Sequence, residues 1–250
     1  MTKRLVIISG ASRGLGLALA QEFIDANTTL VNIARNNNAE LAAICQQAGA
    51  TWHSIQADLA HTSGAELASQ QLETLLAQHS DATQLYLINN AGTVAPMAQA
   101  HQLQDPKAIA QALQLNVGSL ISLTSCFLAH TPAHADRRIL NISSGAGRSA
   151  VPGWGVYGAT KAAVDYFTQT LAVEHPQVRS VALAPGVVDT DMQATIRQTD
   201  DTHFPNRERF INLHQNQQLA SATYTAEQIA RYLTNDDFGQ KTIDDIRHYF

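Results

Sequence analysis

The sequence predicts an α/β fold, a doubly wound parallel sheet of about seven strands with helices on both faces, from three observations. The first is length, since 250 residues suit one α/β domain better than an array. The second is alternation: short β-rich runs at 4–9, 29–34, 51–57, 84–89, 137–143, 178–184 and 242–246 are separated by longer stretches with helical spacing. The third is that several runs, Leu5 to Ile8 and Leu85 to Ile88 among them, are continuously apolar, as strands covered on both faces are. Such alternation builds right-handed βαβ units, and ligands of these sheets bind beyond the carboxyl ends of the strands. No repeat, low-complexity tract or linker divides the chain, so residues 1–250 are expected to form a single domain.

Composition narrows the partners. Hydrophobic residues at 45% and charged residues at 15% suit a buried core and exclude disorder. With 16 basic and 21 acidic side chains the net charge is −5, which attracts neither nucleic acid nor anionic membranes. The opening Met1-Thr2-Lys3-Arg4-Leu5-Val6-Ile7-Ile8-Ser9-Gly10 has an apolar run too short for a signal peptide and reads as a first strand. No apolar stretch is read as nearing the roughly 18 residues of a membrane span, so a cytoplasmic location is expected. Cys45 and Cys126 cannot build a disulfide framework and are expected to be buried. His130 and His134 have the spacing of a metal pair, but Pro132 between them disfavours the helix that would present both, and no metal is expected.

The loops after the strands carry the chemistry. The first strand leads into Ser9-Gly10-Ala11-Ser12-Arg13-Gly14-Leu15-Gly16, at the opening of a helix whose Leu15, Leu19 and Phe23 share a face. Glycine lets backbone approach a pyrophosphate, and a helix N-terminus offers unsatisfied N–H groups to the anion, although such turns also form for packing alone. The same residues match the hydrolase elbow G-x-S-x-G literally, but that elbow lies deep in a sheet rather than after its first strand. Where NAD-binding sheets place an acid for the ribose, the second strand ends Val31-Asn32-Ile33-Ala34-Arg35-Asn36. Arg35 and Arg13 offer guanidinium groups to a 2′-phosphate, which favours NADPH/NADP+ over NADH; solvated surface arginines are the alternative.

Asp58-Leu59 follows the third strand and Asn89-Asn90-Ala91-Gly92 the fourth. Asn141-Ile142-Ser143-Ser144-Gly145-Ala146-Gly147 follows the fifth, and beyond it come Tyr157 and Lys161, four residues apart and so on one helix face, with Val164, Phe167 and Leu171 continuing the helix. An ammonium there would lower a tyrosine pKa from about 10, letting Tyr157 protonate a carbonyl oxygen as hydride reaches its carbon. Ser144 would donate a second bond to that oxygen, with Ser143 as the rival assignment. Pro185-Gly186-Val187-Val188-Asp189-Thr190 follows the sixth strand, and the last ends in Asp244-Asp245. Residues 193–220, including Asn206-Arg207-Glu208-Arg209-Phe210-Ile211, are polar and fit either a lid over the substrate or a plain surface excursion.

Taken together, the glycine turn, Asn89 to Gly92, Asn116, the Ser144/Tyr157/Lys161 set and Pro185 to Thr190 resemble the short-chain dehydrogenase/reductase family, in its order and over essentially the whole chain. The resemblance implies a Rossmann-like sheet with Tyr157 as general acid/base and Ser144 orienting the carbonyl. It implies that Lys161 also grips the nicotinamide ribose and that Asn116 supports a water-linked proton relay. Gly10, Ser12, Arg13, Gly14, Leu15, Gly16 and Arg35 would hold the cofactor phosphates, and Asp58 and Leu59 the adenine. Asn90, Ala91 and Gly92, with Pro185 and Gly186, would line the cofactor, while Val188 and Thr190 close over the nicotinamide amide.

Within the family the segments Leu87 to Met97, Asn141 to Gly147, Gly153 to Tyr157 and Ala184 to Gln193 resemble sepiapterin reductases and, more tightly, bacterial benzil reductases. That likeness implies NADPH-dependent reduction of one carbonyl of a vicinal dicarbonyl to an α-hydroxy ketone. A pterin side-chain reductase is the alternative, and a non-catalytic dinucleotide sensor the alternative of another class. Val94, Pro96, Met97, Val151, Pro152 and Trp154, with Met192, would wall the site for a flat dicarbonyl or ketone, although some are ordinary core. Sepiapterin-type enzymes anchor the pterin with a carboxylate near the C-terminus, where Asp245 falls by its distance from Phe238. A glycine expected near Lys241 is missing, and a solvated acid pair is the other reading of Asp244-Asp245. A homodimer or homotetramer through the Tyr157 helix and its successor is also implied.

Overall fold

The computed structural model describes residues 3–249. Strands β1 (Arg4–Ser9), β2 (Thr28–Ala34), β3 (Thr51–Gln56), β4 (Gln84–Asn89), β5 (Asp136–Ile142), β6 (Arg179–Ala184) and β9 (Ile243–Asp245) form one sheet in the order β3-β2-β1-β4-β5-β6-β9. Every neighbouring pair is parallel, as the apolar runs predict. The chain winds outward in both directions from β1 and β4, so their carboxyl ends mark the crevice where such sheets hold ligands.

Alternate residues of each strand feed opposite faces. Val6 and Ile8 pack with Leu15 and Leu19 of α1 (Gly14–Glu22), Leu41 and Cys45 of α2 (Ala39–Gln47), and Ile229 and Leu233 of α9 (Ala222–Thr234). Leu5 and Ile7 pack with Leu72 and Leu76 of α3 (Thr62–Gln78), Phe127 of α5 (Ser119–His130) and Leu171 of α6 (Gly155–Glu174). Burying each such side chain is worth about 1.5–3 kcal/mol, which fixes the strand ends that carry the site.

Helix α4 (Pro106–Leu113) starts under the Asp105 carboxylate, which accepts from the N–H groups of Lys107 and Ala108. It runs through a π turn, Gln114–Gly118, straight into α5. That run, Pro106–His130, is long and apolar enough to cross a membrane by length and composition, contrary to the expectation of no such stretch, and 44% of its most apolar window is buried in the fold. The π turn removes the break that would have shortened it. Cys45 is buried as expected, whereas Cys126 is only half-buried; its Sγ donates to the Ser69 carbonyl, and burial pushes the thiol up to about 11. His130 meets the Cys126 carbonyl through Nδ1 and Glu73 through Nε2.

After β6 the chain makes two short strands that the sequence does not predict, β7 (Val188–Asp189) and β8 (Ala220–Ser221), paired in parallel. Between them lie α7 (Asp191–Gln198) and α8 (Arg207–Gln215). This polar stretch is folded down by two aromatic side chains. Phe204 is fully buried and stacks on Trp154 at 5.0 Å between ring centroids, and Phe210 lies 5.4 Å from the same indole. Gly153 permits the approach: its φ is +86°, and a Cβ there would stand 2.4 Å from the His203 carbonyl.

Candidate active site

A cleft of about 1150 Å³ runs along the carboxyl ends of the sheet. At its centre the β1–α1 turn is pinned from three sides. Ala11 N–H donates to Asn32 Oδ1 of β2, Ser9 Oγ accepts from the N–H groups of Asn90 and Ala91, and Asn90 Nδ2 donates to the carbonyls of Ser9 and Gly10. Gly16 sits so close under the turn that a Cβ would lie 2.1 Å from the Gly10 carbonyl oxygen. No side chain caps α1, so its first N–H groups face the cleft, the arrangement that binds a pyrophosphate. The residues therefore fit a dinucleotide on geometry alone.

Ser12, Leu15, Asp58, Leu59, Gly92, Pro185, Gly186, Val188 and Thr190 all line this cleft, with Gly10, Gly14, Gly16, Asn90 and Ala91. At its β2 end Arg35 is exposed beside Asn36 and Asn37. Asn38 caps α2 through Oδ1 and ties back to the Ser12 carbonyl through Nδ2, a brace the sequence reading missed because a lone asparagine carries no motif. Arg13 also lines the cleft, but its Nη1 donates to Asp191 Oδ2 at 2.8 Å, across the opening to the start of α7. Arg13 is thus a largely exposed side chain already engaged in a surface ion pair, not a free phosphate clamp.

Ser144, two residues beyond β5, caps a 3₁₀ turn, Gly145–Gly147, where its Oγ accepts from Ala146 N–H. Tyr157 and Lys161 reach the same part of the cleft from the first turns of α6. Burial pushes the Tyr157 phenol above its ordinary value, and the bond with Ser144 opposes that rise without cancelling it. The expected lowering by Lys161 is absent for a geometric reason: Lys161 Nζ donates to the Ile142 carbonyl at 2.7 Å and stands over the tyrosine ring, 5.7 Å from its centroid. Burial lowers the Lys161 ammonium to about 8, against the opposing field of Asp165.

Ser143 also borders the cleft, but its hydroxyl is engaged in donating to Asp165, which takes Arg148 Nε on its other oxygen. Asn116 lies in the π turn and not on the cleft wall. Its Oδ1 accepts from Thr93 N–H, and its Nδ2 donates to the Thr93 carbonyl and Thr160 Oγ1, so the amide clamps the β4 loop to α6.

Val94, Trp154 and Met192 line the other end as expected. Met97 does not; it packs behind Val94 and Trp154, with Thr199 Oγ1 against its sulfur. Ile196, Arg209 and Phe210 join the wall from α7 and α8. The sequence offered 193–220 as a stretch that could cover the substrate but singled out none of these three, since scattered residues in a polar stretch show no period.

Asp245 is corrected on both counts: it neither reaches the cleft nor is solvated. Its Oδ1 accepts from Arg247 N–H and Nε, and its Oδ2 from Nη2 at 2.6 Å; these bonds, Arg247's side chain foremost, hold the carboxyl low. Asp244 is buried, accepting from the Tyr232 and Tyr249 hydroxyls and meeting His248 Nδ1. Burial works to raise it, and those bonds outweigh the burial.

A profile of the short chain dehydrogenases matches residues 4–201. The chain is 39% identical over 244 residues to a protein named benzil reductase ((S)-benzoin forming) of Bacillus cereus, covering 95% of this chain and 96% of that one. It is 34% identical to sepiapterin reductase of Bos taurus, covering 94% and 91%. Among solved structures, the KRED1-Pglu enzyme superposes with a TM-score of 0.84 at 27% identity, covering 96% of this chain and 99% of the other.

Proposed function

This chain belongs to the short-chain dehydrogenase family, and on that premise we propose that it is an NADPH-dependent carbonyl reductase acting on one carbonyl of a benzil-like vicinal dicarbonyl to give an α-hydroxy ketone. The observation that carries the reading is the meeting of Ser144, Tyr157 and Lys161 between the glycine cradle and the wall formed by Val94, Trp154 and Phe210. When bound, the nicotinamide supplies hydride to the carbonyl carbon. Ser144 and Tyr157 donate hydrogen bonds to the carbonyl oxygen, and Tyr157, its pKa raised by burial, keeps its proton until the alkoxide forms and then gives it up. Lys161, bonded to the Ile142 carbonyl and over the tyrosine ring, would hold the nicotinamide ribose. Asn116 keeps the β4 loop and α6 in register through its amide and supports a water-linked proton relay.

Arg35 supports NADPH, since the end of β2 offers no carboxylate to a ribose and an exposed guanidinium to a 2′-phosphate. Arg13 joins it by exchanging Asp191 for the phosphate. The aromatic wall favours a flat aryl diketone over a pterin, whose anchoring carboxylate is here engaged by Arg247. Residues 193–220 act as the lid. The exposed Leu113 of α4, Ile121 of α5, and Tyr166 and Val173 of α6 support the homodimer or homotetramer.

The test is loss of nicotinamide absorbance with NADPH or NADH against benzil, a simple aryl ketone, a small aliphatic dione and sepiapterin. Fast turnover of benzil with NADPH is expected, and Tyr157→Phe should lower it by about 10²–10⁴ while keeping NADPH affinity. A sensor would be indifferent to Tyr157→Phe, and turnover of sepiapterin alone would move the reading to a pterin reductase.

A further inference from the structure

We propose that Arg247, gripped by Asp245, determines substrate specificity by selecting carbonyl compounds that carry a carboxylate or similar anion remote from the reacting carbonyl. This deepens the reductase reading and rests on it for the place of the reacting group.

Strand β9 lies at the sheet edge beside β6, with Asp245 in register with Ala184. Beyond Asp245 the chain curls into a 3₁₀ turn, Ile246–His248, which carries Arg247 onto the carboxyl end of β6. The arginine stem lies along Gly186, whose absent Cβ would stand 3.5 Å from Arg247 Cδ, and the residue lines the cleft. Asp245 fixes the guanidinium from behind through Nε and Nη2. No acceptor among the described residues meets Nη1, and the side chain is 68% exposed while its partner is 9% exposed. The pair is formally neutral, but only its donor edge is presented outward. An arginine held in this way loses little further freedom on binding a carboxylate.

Position separates this cation from the cofactor phosphates. With strands about 4.8 Å apart, β9 stands four strands, roughly 19 Å, from the glycine cradle on β1, but only two strands, roughly 10 Å, from Ser144 just beyond the end of β5. Arg209, over the Phe210 ring, adds a second cation to this end of the cleft. The carboxylates on the cleft wall lie elsewhere: Asp58 is after β3, and Asp191 is bonded to Arg13. The place where the family's pterin enzymes hold a donor-rich ring thus becomes, in this chain, a place for an acceptor.

The experiment compares benzil with 4-carboxybenzil under NADPH, using the wild type, Arg247→Met and Asp245→Asn, each first shown to melt cooperatively. The wild type should bind the carboxylated diketone more tightly, by an advantage that shrinks as salt is added. Arg247→Met should raise its KM about tenfold or more with kcat nearly unchanged, the mark of binding felt equally in ground and transition states. KM for benzil and for NADPH should move by less than about twofold, and Asp245→Asn should show a smaller version of the same selective loss. Equal changes for both diketones, or none for either, would overturn the assignment. If the wild type reduces neither compound, the reductase reading fails instead. Tryptophan quenching on titration with 4-carboxybenzil then decides Arg247 alone: binding lost in Arg247→Met upholds it, and binding unchanged rejects it.

Discussion

Adding one methyl group at Gly16 should cost the protein its cofactor, and the size of the loss follows from three distances. A Cβ there would stand 2.1 Å from the Gly10 carbonyl oxygen, 2.4 Å from Asn90 Nδ2 and 2.8 Å from the Gly10 carbonyl carbon. Carbon tolerates oxygen at about 3.3 Å, so the start of α1 must retreat by about 1 Å. The turn itself cannot give way, because Asn32, Ser9 and Asn90 hold it. A retreat of that size stretches amide-to-phosphate bonds of about 2.9 Å to nearly 4 Å, where they no longer count as hydrogen bonds. Two charge-assisted bonds at roughly 1.5–3 kcal/mol each amount to about 3–6 kcal/mol, a rise in Kd of about 10²–10⁴. Gly14→Ala is the control. Its Cβ would meet only Thr190, at 3.6 Å, but at φ +58° it carries the left-handed strain of about 1–2 kcal/mol. Calorimetric titration with NADPH and thermal melting separate the two: Gly14→Ala should melt earlier and still bind, and Gly16→Ala should fail to bind. A Gly16→Ala protein that binds within about threefold of wild type would refute the steric argument.

Arg35→Ala should lower the preference for NADPH over NADH about tenfold or more, while Arg13→Ala should matter less because Asp191 already engages that side chain; kcat/KM with each nicotinamide checks both. Gly153→Ala should push the His203–Phe204 backbone away and unstack Phe204 from Trp154, lowering the melting temperature and raising KM for aryl diketones with NADPH affinity unchanged. The Lys161 ammonium, lowered by burial from 10.5 to about 8, should make kcat/KM for reduction fall as pH rises through about 8. Between about 8 and 10.5 the folded chain holds fewer protons on Lys161 than the unfolded chain, so stability from this group rises with pH across that window. Denaturant titrations of wild type and Lys161→Met should differ by that slope, and parallel curves would remove the assignment.

Where side chains report their own surroundings, the sequence read true. The β-rich runs at 4–9 and 84–89 match β1 and β4 residue for residue, because their apolar centres, Leu5 to Ile8 and Leu85 to Ile88, are what a strand covered on both faces needs. Glycines at 10, 14 and 16 and the Tyr157/Lys161 pair were equally legible, being tied to fixed spacings. What stayed hidden depends on partners distant in the chain. Arg13 meets Asp191, the Asn116 amide meets Thr93 and Thr160, and Phe204 finds Trp154 from a stretch with no period. Asp245 was misread because a carboxylate at a strand end looks the same in sequence whether water or an arginine two residues on satisfies it.

The pairing of Val188 with Ala220 and of Asp189 with Ser221 makes the segment between them an exchangeable part. Its two ends are fixed about 4.8 Å apart by main-chain bonds that ask nothing of what lies between them. Doubling the length of the intervening chain would add only about 0.6 kcal/mol of closure entropy. Segments of other lengths and compositions should therefore graft between these strands, provided each brings one aromatic ring for Trp154, and descendants of this scaffold could trade substrates without renegotiating the nucleotide cradle.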